Sequence, residues 1–372
     1  MDSRYAFIAE WYDPNASLIR RYQLLFYPGD NTVEMFDIKN RRLFLKRSKC
    51  EHLKLKDLFI GAIVNIHSRQ LTITDFGDEF TTKKLKVKKE KTLGIIKPDC
   101  LSKMGSIFDR VTSEGFIICQ AKMVQLSPKE ASEFYAEHEG KPFFERLISF
   151  MTSGPIIAFE VTGEEAVTKW REIIGPTDSA VARQEAPGSI RAQFGTDTTR
   201  NACHGSDSLE SSQREAEFFF GAKSRRKNTA RFGDCTLGII KPHAVMEGLA
   251  GKIIREITSA GLQVTALQLH YMEKANAEEF FEVYKGVVAE YNSMVEELTS
   301  GPCIALEVSG SNAHTMFRER VGPADPEIAR HLRPHTLRAK FGQDKIRNAL
   351  HCTDLPDDNI LEVEYFFKIL DS

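Results

Sequence analysis

The sequence predicts an α+β protein in which a β-rich head precedes two copies of one domain, each with the ferredoxin-like order β-α-β-β-α-β. Three observations support this fold class. Five blocks of sequence recur in the same order within residues 92–370, the apolar spacing inside each copy changes between strand and helix periods, and residues 1–91 show strand-like alternation. Of the 372 residues, 42% are hydrophobic, which is enough for each domain to form a core.

The recurring blocks define the two copies. TLGIIKPDC at 92–100 returns as TLGIIKPHA at 236–244. The other pairs, offset by 147 residues, are SGPIIAFEV and SGPCIALEV, IIGPTD and RVGPAD, GSIRAQFG and HTLRAKFG, and RNACHGSD and RNALHCTD. The repeat is too long for a solenoid unit, so we predict domains at 92–221 and 236–370. The polar, basic segment between them, 222–235, is predicted to be a linker.

Local signals place strands and helices inside each copy. In the first copy the predicted strands are TLGII, FIICQAKMVQL and PIIAFEV, and the predicted helices are MGSIFDRVTSEGF, SPKEASEFYAEHEG and EEAVTKWREIIG. Gly115 closes the first helix. Ser127, Pro128 and Glu130 have the spacing of an N-cap, a first helical residue and a capping box.

The head differs from the copies in pattern and in charge. YQLLFYPGDNTVEMFDI alternates around a Pro-Gly-Asp-Asn turn, and AIVNIHSRQLTITDFG forms a second hairpin-like pair. Residues 1–91 carry 18 Lys and Arg against 12 Asp and Glu, whereas the remainder carries 32 against 40, so the net charge of -2 conceals a basic head. This asymmetry indicates either separate partners or ordinary surface variation. The KKLKVKKEK segment is interpreted as a solvated edge or linker, not as a nucleic-acid patch.

Composition also argues against several classes of protein. A net charge near zero disfavours a wholly basic nucleic-acid binder. The sequence has neither an 18-residue apolar run nor a signal-like start, so no membrane span or secretion is expected. The seven cysteines are scattered, odd in number and without a CxxC pair. That pattern disfavours a disulfide framework or a zinc site and favours a reducing, cytoplasmic compartment. No metal held by protein side chains alone is expected.

One histidine stands out because of its neighbours. His204 lies in RNACHGSDS, and the same copy places Lys97, Arg171 and Arg191 beside Gly- or Pro-containing loops. Cations on separate elements can converge on a polyphosphate, with each guanidinium offering a planar fork of donors. The alternatives are a structural histidine and unrelated surface salt bridges. The set recurs in the second copy as Lys241, Arg318, Arg338 and His351. This recurrence argues against coincidence, although common descent alone could preserve it.

Residues 92–221 resemble a nucleoside diphosphate kinase. The KPD, SGP, GPTD and RNACHGSDS blocks occur in that family's order and approximate spacing, and NxxHGSD is highly specific for it. Residues 236–370 resemble the family more weakly. The resemblance implies transfer of the γ-phosphoryl group of ATP or another nucleoside triphosphate to a nucleoside diphosphate, with Mg²⁺ held mainly by phosphate oxygens and water.

The resemblance also implies a role for each matching residue. His204 is the implied nucleophile, Glu215 accepts a hydrogen bond that fixes its tautomer, and Ser206 supports this arrangement. The implied nucleotide contacts are Lys97, Arg171, Thr177 and Arg191 at the phosphates, Tyr135 beside the histidine, Asn201 and Lys97 at the sugar, and Phe143 stacked on the base.

The second copy departs from this pattern. Its matching residues are Lys241, Arg318, Arg338, Asn348, His351 and Glu362. Its replacements are Ala324 for Thr177, Cys352 for Gly205, Thr353 for Ser206, Glu290 for Phe143, and Phe281 or Glu282 for Tyr135. We therefore expect weak nucleotide binding and little turnover there. Cys203 and Cys352 are interpreted as packing residues.

The head resembles a DM-ten domain, a PH-like module of ciliary and axonemal proteins. This resemblance implies tubulin, microtubule or axonemal partners and a location at the cytoskeleton, the centrosome and the axoneme of the cilium or flagellum; no nucleic-acid or membrane partner is expected. Two function classes stay open: an enzyme acting through His204, and a structural component of doublet microtubules or a centrosomal scaffold. The two copies are expected to pair within one chain and so to give a monomer.

Overall fold

The computed structural model describes residues 4–85, 89–222, 224 and 226–371. Its contacts divide the chain into two compact units, Met1–Lys89 with Tyr271–Gly301, and Glu90–His270 with Pro302–Ser372. The division cuts through the second predicted repeat. Residues 86–88 of the KKLKVKKEK segment, and residues 223 and 225 of the predicted linker, lie outside the described residues.

The first unit contains a six-stranded antiparallel sheet in the order β4-β3-β2-β1-β6-β5. Its elements are β1 (Tyr5–Asp13), β2 (Leu18–Tyr27), β3 (Thr32–Asp37), β4 (Arg42–Lys49), β5 (Ile63–Ile66), β6 (Arg69–Phe76) and α1 (Glu79–Leu85). The predicted Pro-Gly-Asp-Asn turn joins β2 to β3, and Tyr27 pairs with Thr32 across it. The buried side chain of Asn65 donates to the carbonyl of Thr299, so the head contacts the 271–301 segment directly.

The first repeat follows the predicted alternation and adds helices to it. Its elements are β7 (Lys89–Ile96), α2 (Met104–Ser113), β8 (Ile117–Val124), α3 (Pro128–Phe134), α4 (Phe144–Met151), β9 (Ile156–Glu164), α5 (Ala166–Ile174), α6 (Ser179–Glu185), α7 (Ile190–Phe194), β10 (Cys203–Gly205) and α8 (Leu209–Phe220). Ser127 and Glu130 form the reciprocal capping box at the start of α3. Gly115 follows α2 at φ 86°, a conformation that glycine adopts without strain.

The second repeat contains the corresponding elements. They are β11 (Cys235–Ile240), α9 (Pro242–Met246), α10 (Ala250–Ser259), β12 (Gln263–Tyr271), α11 (Lys274–Phe280), α12 (Tyr291–Leu298), β13 (Pro302–Ser309), α13 (Ala313–Val321), α14 (Pro326–Leu332), α15 (Leu337–Phe341), β14 (Leu350–Cys352) and α16 (Asn359–Glu364). Phe281 follows α11 as Tyr135 follows α3, so Phe281 and not Glu282 is the counterpart of the tyrosine. Glu290 precedes α12 as Phe143 precedes α4.

The strands of the two repeats form one continuous sheet in the order β10-β7-β9-β8-β12-β13-β11-β14. The repeats meet at β8 and β12, where Gln268 pairs with Lys122 in an antiparallel register. Helices α2 and α10 cross beside this junction, with Gly105 and Gly251 at the closest approach. The predicted pairing of the two copies within one chain is therefore what the structure contains.

The segment between the repeats is anchored to both of them. Arg226 forms an ion pair with Glu130 at 2.6 Å, and the Asn228 amide donates to the Phe367 carbonyl at 2.7 Å. The buried Glu307 carboxylate accepts hydrogen bonds from the backbone N–H groups of residues 231 and 232.

Among the described residues, no helix is both long and apolar enough to traverse a bilayer.

Candidate active site

A cleft of about 680 Å³ lies in the first repeat. It brings together residues from the loops and ends of β7, α3, α5 and α7, from β10 and α8, and from the segment before α4. Nine of the ten site residues predicted from the sequence line it: Lys97, Tyr135, Phe143, Arg171, Thr177, Arg191, Asn201, His204 and Glu215. The tenth, Ser206, is fully buried against Glu215. Residues as far apart as 97 and 215 thus share one cavity.

His204 is held in one orientation by a buried carboxylate. The short strand β10 pairs with β7, opposite Ile95, and places the imidazole in the cleft. Its Nε2 lies 2.8 Å from Glu215 Oε2, and the Ser206 hydroxyl donates to the same oxygen at 2.8 Å. With Glu215 ionised, Nε2 carries the proton and Nδ1 keeps its lone pair. Phe134 packs its ring against the imidazole at a centroid distance of 5.5 Å.

A buried cation, Lys97, and a half-buried one, Arg191, line the cleft together with the histidine. Lys97 Nζ donates to Asn201 Oδ1 at 2.7 Å, and burial together with Arg191 lowers the pKa of Lys97 to about 8. Arg191 donates to the carbonyls of Gly175 and Cys203, while its buried Nε has no partner among the described residues. Burial lowers the pKa of Arg191 to about 10. Because desolvation disfavours both charged forms, a bound polyanion would stabilise them.

The other predicted contacts surround these cations. Arg171 and Thr177 are exposed at the cleft, and Arg171 forms no ion pair with another described residue. The buried hydroxyl of Tyr135 lacks a hydrogen-bond partner within the described part of the chain, and burial raises the pKa of this phenol. Such a donor would be satisfied by a polar ligand atom that reached it from the cleft.

The cleft also contains residues that sequence reasoning missed. They are Glu137, His138, Arg146, Leu147, Ile174, Gly175, Pro176, Thr198, Thr199, Gly205 and Asp207. Arg146 lies one helical turn after Phe143, so helical spacing could have identified it. Asp207 directly follows the predicted Ser206, and hydrogen bonds from Ser211 and Ser208 lower the pKa of its carboxyl group. Among the described residues, no group of three or more His, Cys, Asp or Glu could hold a metal ion.

The second repeat preserves the histidine arrangement. His351 Nε2 lies 2.9 Å from Glu362 Oε2, and the Thr353 hydroxyl donates to the same carboxylate oxygen at 2.9 Å. Arg338 and Asn348 keep the first repeat's carbonyl contacts, to Gly322 and Ala324. The hydrogen-bonded pair of His351 and Glu362, the histidine dyad of this repeat, is therefore intact.

Other parts of the second repeat differ. Arg318 forms an ion pair with Asp354 at 2.7 Å, whereas its first-repeat counterpart Arg171 has no such partner among the described residues. Lys241 donates to the Ile346 carbonyl at 2.8 Å. The charge of Arg318 is thus compensated within the protein, which reduces its availability for phosphate.

The exchange of Gly205 for Cys352 has a structural reason. A Cβ atom on Gly205 would lie 2.7 Å from the Trp170 ring, which also donates to the His204 carbonyl at 3.3 Å. The second repeat has the smaller Phe317 in place of this tryptophan. The cysteine and the phenylalanine therefore fit as a pair, and both Cys203 and Cys352 are buried, as their interpretation as packing residues requires.

Comparison with known proteins agrees with the fold. The family model for nucleoside diphosphate kinase matches residues 90–224 and 234–371, and the model for the nucleoside diphosphate kinase 7 N-terminal PH domain matches residues 1–87. The chain belongs to the nucleoside diphosphate kinase family, and its head has the predicted PH-like character.

Individual relatives extend this result. The chain is 57% identical to nucleoside diphosphate kinase homolog 7 of Rattus norvegicus, over 99% of this chain and 94% of that protein. It is 53% identical over 133 residues to nucleoside diphosphate kinase of Aquifex aeolicus, covering 35% of this chain and 94% of that protein. An orthorhombic crystal form of the Aquifex aeolicus kinase aligns at a TM-score of 0.35 with 52% identity, covering 36% of this chain and 96% of that chain.

Proposed function

We propose that the first repeat is an active nucleoside diphosphate kinase that transfers the γ-phosphoryl group of ATP or another nucleoside triphosphate to a nucleoside diphosphate through phosphohistidine at His204. The observation that carries the proposal is the His204–Glu215–Ser206 chain in a cleft lined by Lys97, Arg171 and Arg191, within a chain of this family. Fold alone would not support the reaction, because function depends on the site.

The reaction divides into two displacements at phosphorus. His204 Nδ1 attacks the γ-phosphorus, an N–P bond forms, and the bond to the β,γ-bridging oxygen breaks with its electron pair leaving on the diphosphate. Glu215 stabilises the positive charge that develops on the ring, since Nε2 keeps its proton. In the second step an oxygen of the incoming diphosphate attacks the same phosphorus and the N–P bond breaks. Lys97, Arg171 and Arg191 balance the phosphate charge throughout.

A magnesium ion fits this arrangement. The Asp207 carboxylate lines the cleft, and a single carboxylate with phosphate oxygens and water is a common environment for Mg²⁺. When bound, the ion would neutralise charge on the phosphates.

The second repeat is proposed to have little or no turnover. Glu290 cannot stack on a base as Phe143 can, Ala324 lacks the hydroxyl of Thr177, and Arg318 already pairs with Asp354. Lys241, Arg338, Asn348, His351 and Glu362 are therefore assigned to residual binding or to structure.

Labelling with γ-labelled ATP tests both assignments. The full chain should acquire acid-labile, base-stable phosphate, His204→Ala should acquire none, and the matched His351→Ala variant should label like the wild type. Equal labelling of His204→Ala and the wild type would show that the nucleophile is wrongly assigned. Loss of labelling in His351→Ala alone would move the activity to the second repeat.

A second candidate function concerns the head. Four of the eight residues of the edge strand β4 are basic and exposed, namely Arg42, Lys46, Arg47 and Lys49. This charge suits an acidic filament such as tubulin, so we propose a microtubule-bound protein at the cytoskeleton, centrosome and axoneme. Reversing Arg42 and Lys46 to glutamate should reduce co-sedimentation with microtubules, whereas reversing the exposed Lys103 and Lys129 of the first repeat should not. Equal pelleting of both variants would contradict the proposal.

The pairing of the two repeats also supports a monomeric chain. The β8 and β12 edges that could join separate subunits are already paired with each other. Light scattering should therefore give the mass of one chain, and a stable hexamer would refute this.

A further inference from the structure

The exposed end of the cleft contains an arginine with no part in the proposed phosphate chemistry. Phe143, which is 43% exposed, immediately precedes α4, and Arg146 follows it by one helical turn. The Arg146 guanidinium donates through Nη2 to the Thr198 hydroxyl at 3.3 Å. This contact crosses from α4 to the 196–200 turn, so Arg146 lies over the slot between Phe143 and Thr198.

The guanidinium is available to a ligand. Its bond to Thr198 is long and ends on an exposed, uncharged hydroxyl, so it is a weak interaction. Arg146 forms no ion pair with another described residue. The nearby Asp197 carboxylate attracts Arg146 electrostatically without forming an ion pair, and it accepts hydrogen bonds from the backbone N–H groups of Thr199 and Arg200 at 2.6 and 2.7 Å. An incoming group with acceptor atoms can therefore replace Thr198 at little cost.

The position of Arg146 relates it to the base and not to the phosphates. Lys97, which is buried, and Arg191, which is half-buried, are the cations proposed to bind phosphate, whereas Arg146 is exposed beside the ring that is proposed to stack on the base. A base stacked on Phe143 would lie in the part of the cleft that Arg146 and Thr198 also line, within reach of the guanidinium. Arginine offers donors only, arranged as a planar fork.

We propose that Arg146 recognises the edge of the base and makes the first repeat favour guanine nucleotides. The inference rests on the proposed function, because it assumes that the nucleotide occupies this cleft. Guanine presents two adjacent acceptors, O6 and N7, that match a guanidinium fork. Adenine places an amino donor beside N7, so one arm of the fork meets another donor. On the corresponding edge uracil presents a single acceptor, O4, so uridine nucleotides should bind with intermediate preference.

The second repeat provides an internal comparison. The positions of Phe143, Arg146 and Thr198 are occupied there by Glu290, Ser293 and Lys345. The aromatic platform and the guanidinium are both missing from the second copy, although the histidine dyad remains. The aromatic ring and the guanidinium are thus lost together, while the histidine and its carboxylate partner are kept. This is the pattern expected if the ring and the guanidinium both serve to recognise the base.

Calorimetric titration of the full chain with GDP and with ADP, both with Mg²⁺, tests this directly. The wild type should bind GDP about fivefold more tightly than ADP, the lower range for a bidentate contact at an exposed site. Arg146→Ala should bring the ratio close to one while leaving ADP affinity within about twofold. Arg146→Lys keeps the charge but loses the fork, so it should also lose most of the preference.

A matched control separates base recognition from other effects. Glu145→Ala alters the exposed neighbour of Arg146, which does not line the cleft, so this variant should keep the wild-type ratio. Equal weakening of GDP and ADP in Arg146→Ala would indicate a general electrostatic role and overturn the proposal, as would an unchanged ratio. Failure of the proposed function is distinguishable, because then the wild type would bind neither nucleotide or would form no phosphohistidine.

Discussion

The crossing of α2 and α10 offers a place where one methyl group should weaken the association of the two repeats. A Cβ atom on Gly251 would lie 2.1 Å from the Asp109 backbone nitrogen and 2.6 Å from the Gly105 carbonyl oxygen. The contact is reciprocal, since a Cβ on Gly105 would lie 2.6 Å from the Arg255 backbone nitrogen. The substitution Gly251→Ala introduces this Cβ atom.

The size of the effect follows from these distances. Ordinary Cβ contacts begin at 3.4 Å, so the helices must move apart by about 1.3 Å, and the atoms in the way are backbone atoms that cannot rotate aside. Such overpacking costs about 1–3 kcal/mol. Separation also weakens the 3.0 Å bond from the Thr112 hydroxyl to the Gly248 carbonyl, at about 1 kcal/mol. Alanine favours a helix interior over glycine by about 1 kcal/mol, which offsets part of this loss.

We therefore expect Gly251→Ala to lower the free energy of unfolding by about 2 kcal/mol. Urea denaturation measures this value, and light scattering detects any separation of the repeats. Gly188→Ala is the matched control, because a Cβ there meets nothing within 4 Å. Helix propensity alone predicts that Gly251→Ala stabilises the protein. A stability equal to or above that of the wild type would therefore refute the packing argument.

Three further outcomes follow from the structure. Above the Lys97 pKa of about 8, each further pH unit should weaken ADP binding by up to about tenfold, because the amine must be protonated to pair with phosphate. Equilibrium dialysis measures this dependence, and the Lys97→Met variant should not show it. Gly205→Cys should destabilise the first repeat by about 1–3 kcal/mol, and adding Trp170→Phe should recover at least about 1 kcal/mol; an additive denaturation cycle would contradict the proposed clash. Burial lowers the pKa of His270 to about 4 from 6.5, so the unfolded chain takes up a proton that the folded chain does not. Stability should therefore decline by up to about 3 kcal/mol as pH falls from 6.5 to 4, and urea denaturation of His270→Leu should lack this part of the decline.

Much of the candidate site was accessible from sequence, because its residues lie in compact motifs that recur. The RNACHGSDS block contains Asn201, His204 and Ser206 within six residues, and the capping and turn signals around it are local. Arg146 was not identified for the opposite reason. Its significance depends on a contact with Thr198, 52 residues away, and no local pattern records that distance.

By itself, the sequence determined the duplication, the order of strands and helices, the residue types that line the first-repeat cleft and their replacements in the second repeat. These properties depend on periodicity, capping and residue type, which act over one or two turns of chain. Only the tertiary structure decided that the two sheets join through β8 and β12, and that Tyr271–Gly301 shares a unit with the head. It likewise decided that Gly105 and Gly251 meet across the crossing helices. Such contacts form between surfaces that are distant in the chain. Their packing energy depends on how well the shapes of both surfaces fit, so neither segment specifies the contact by itself.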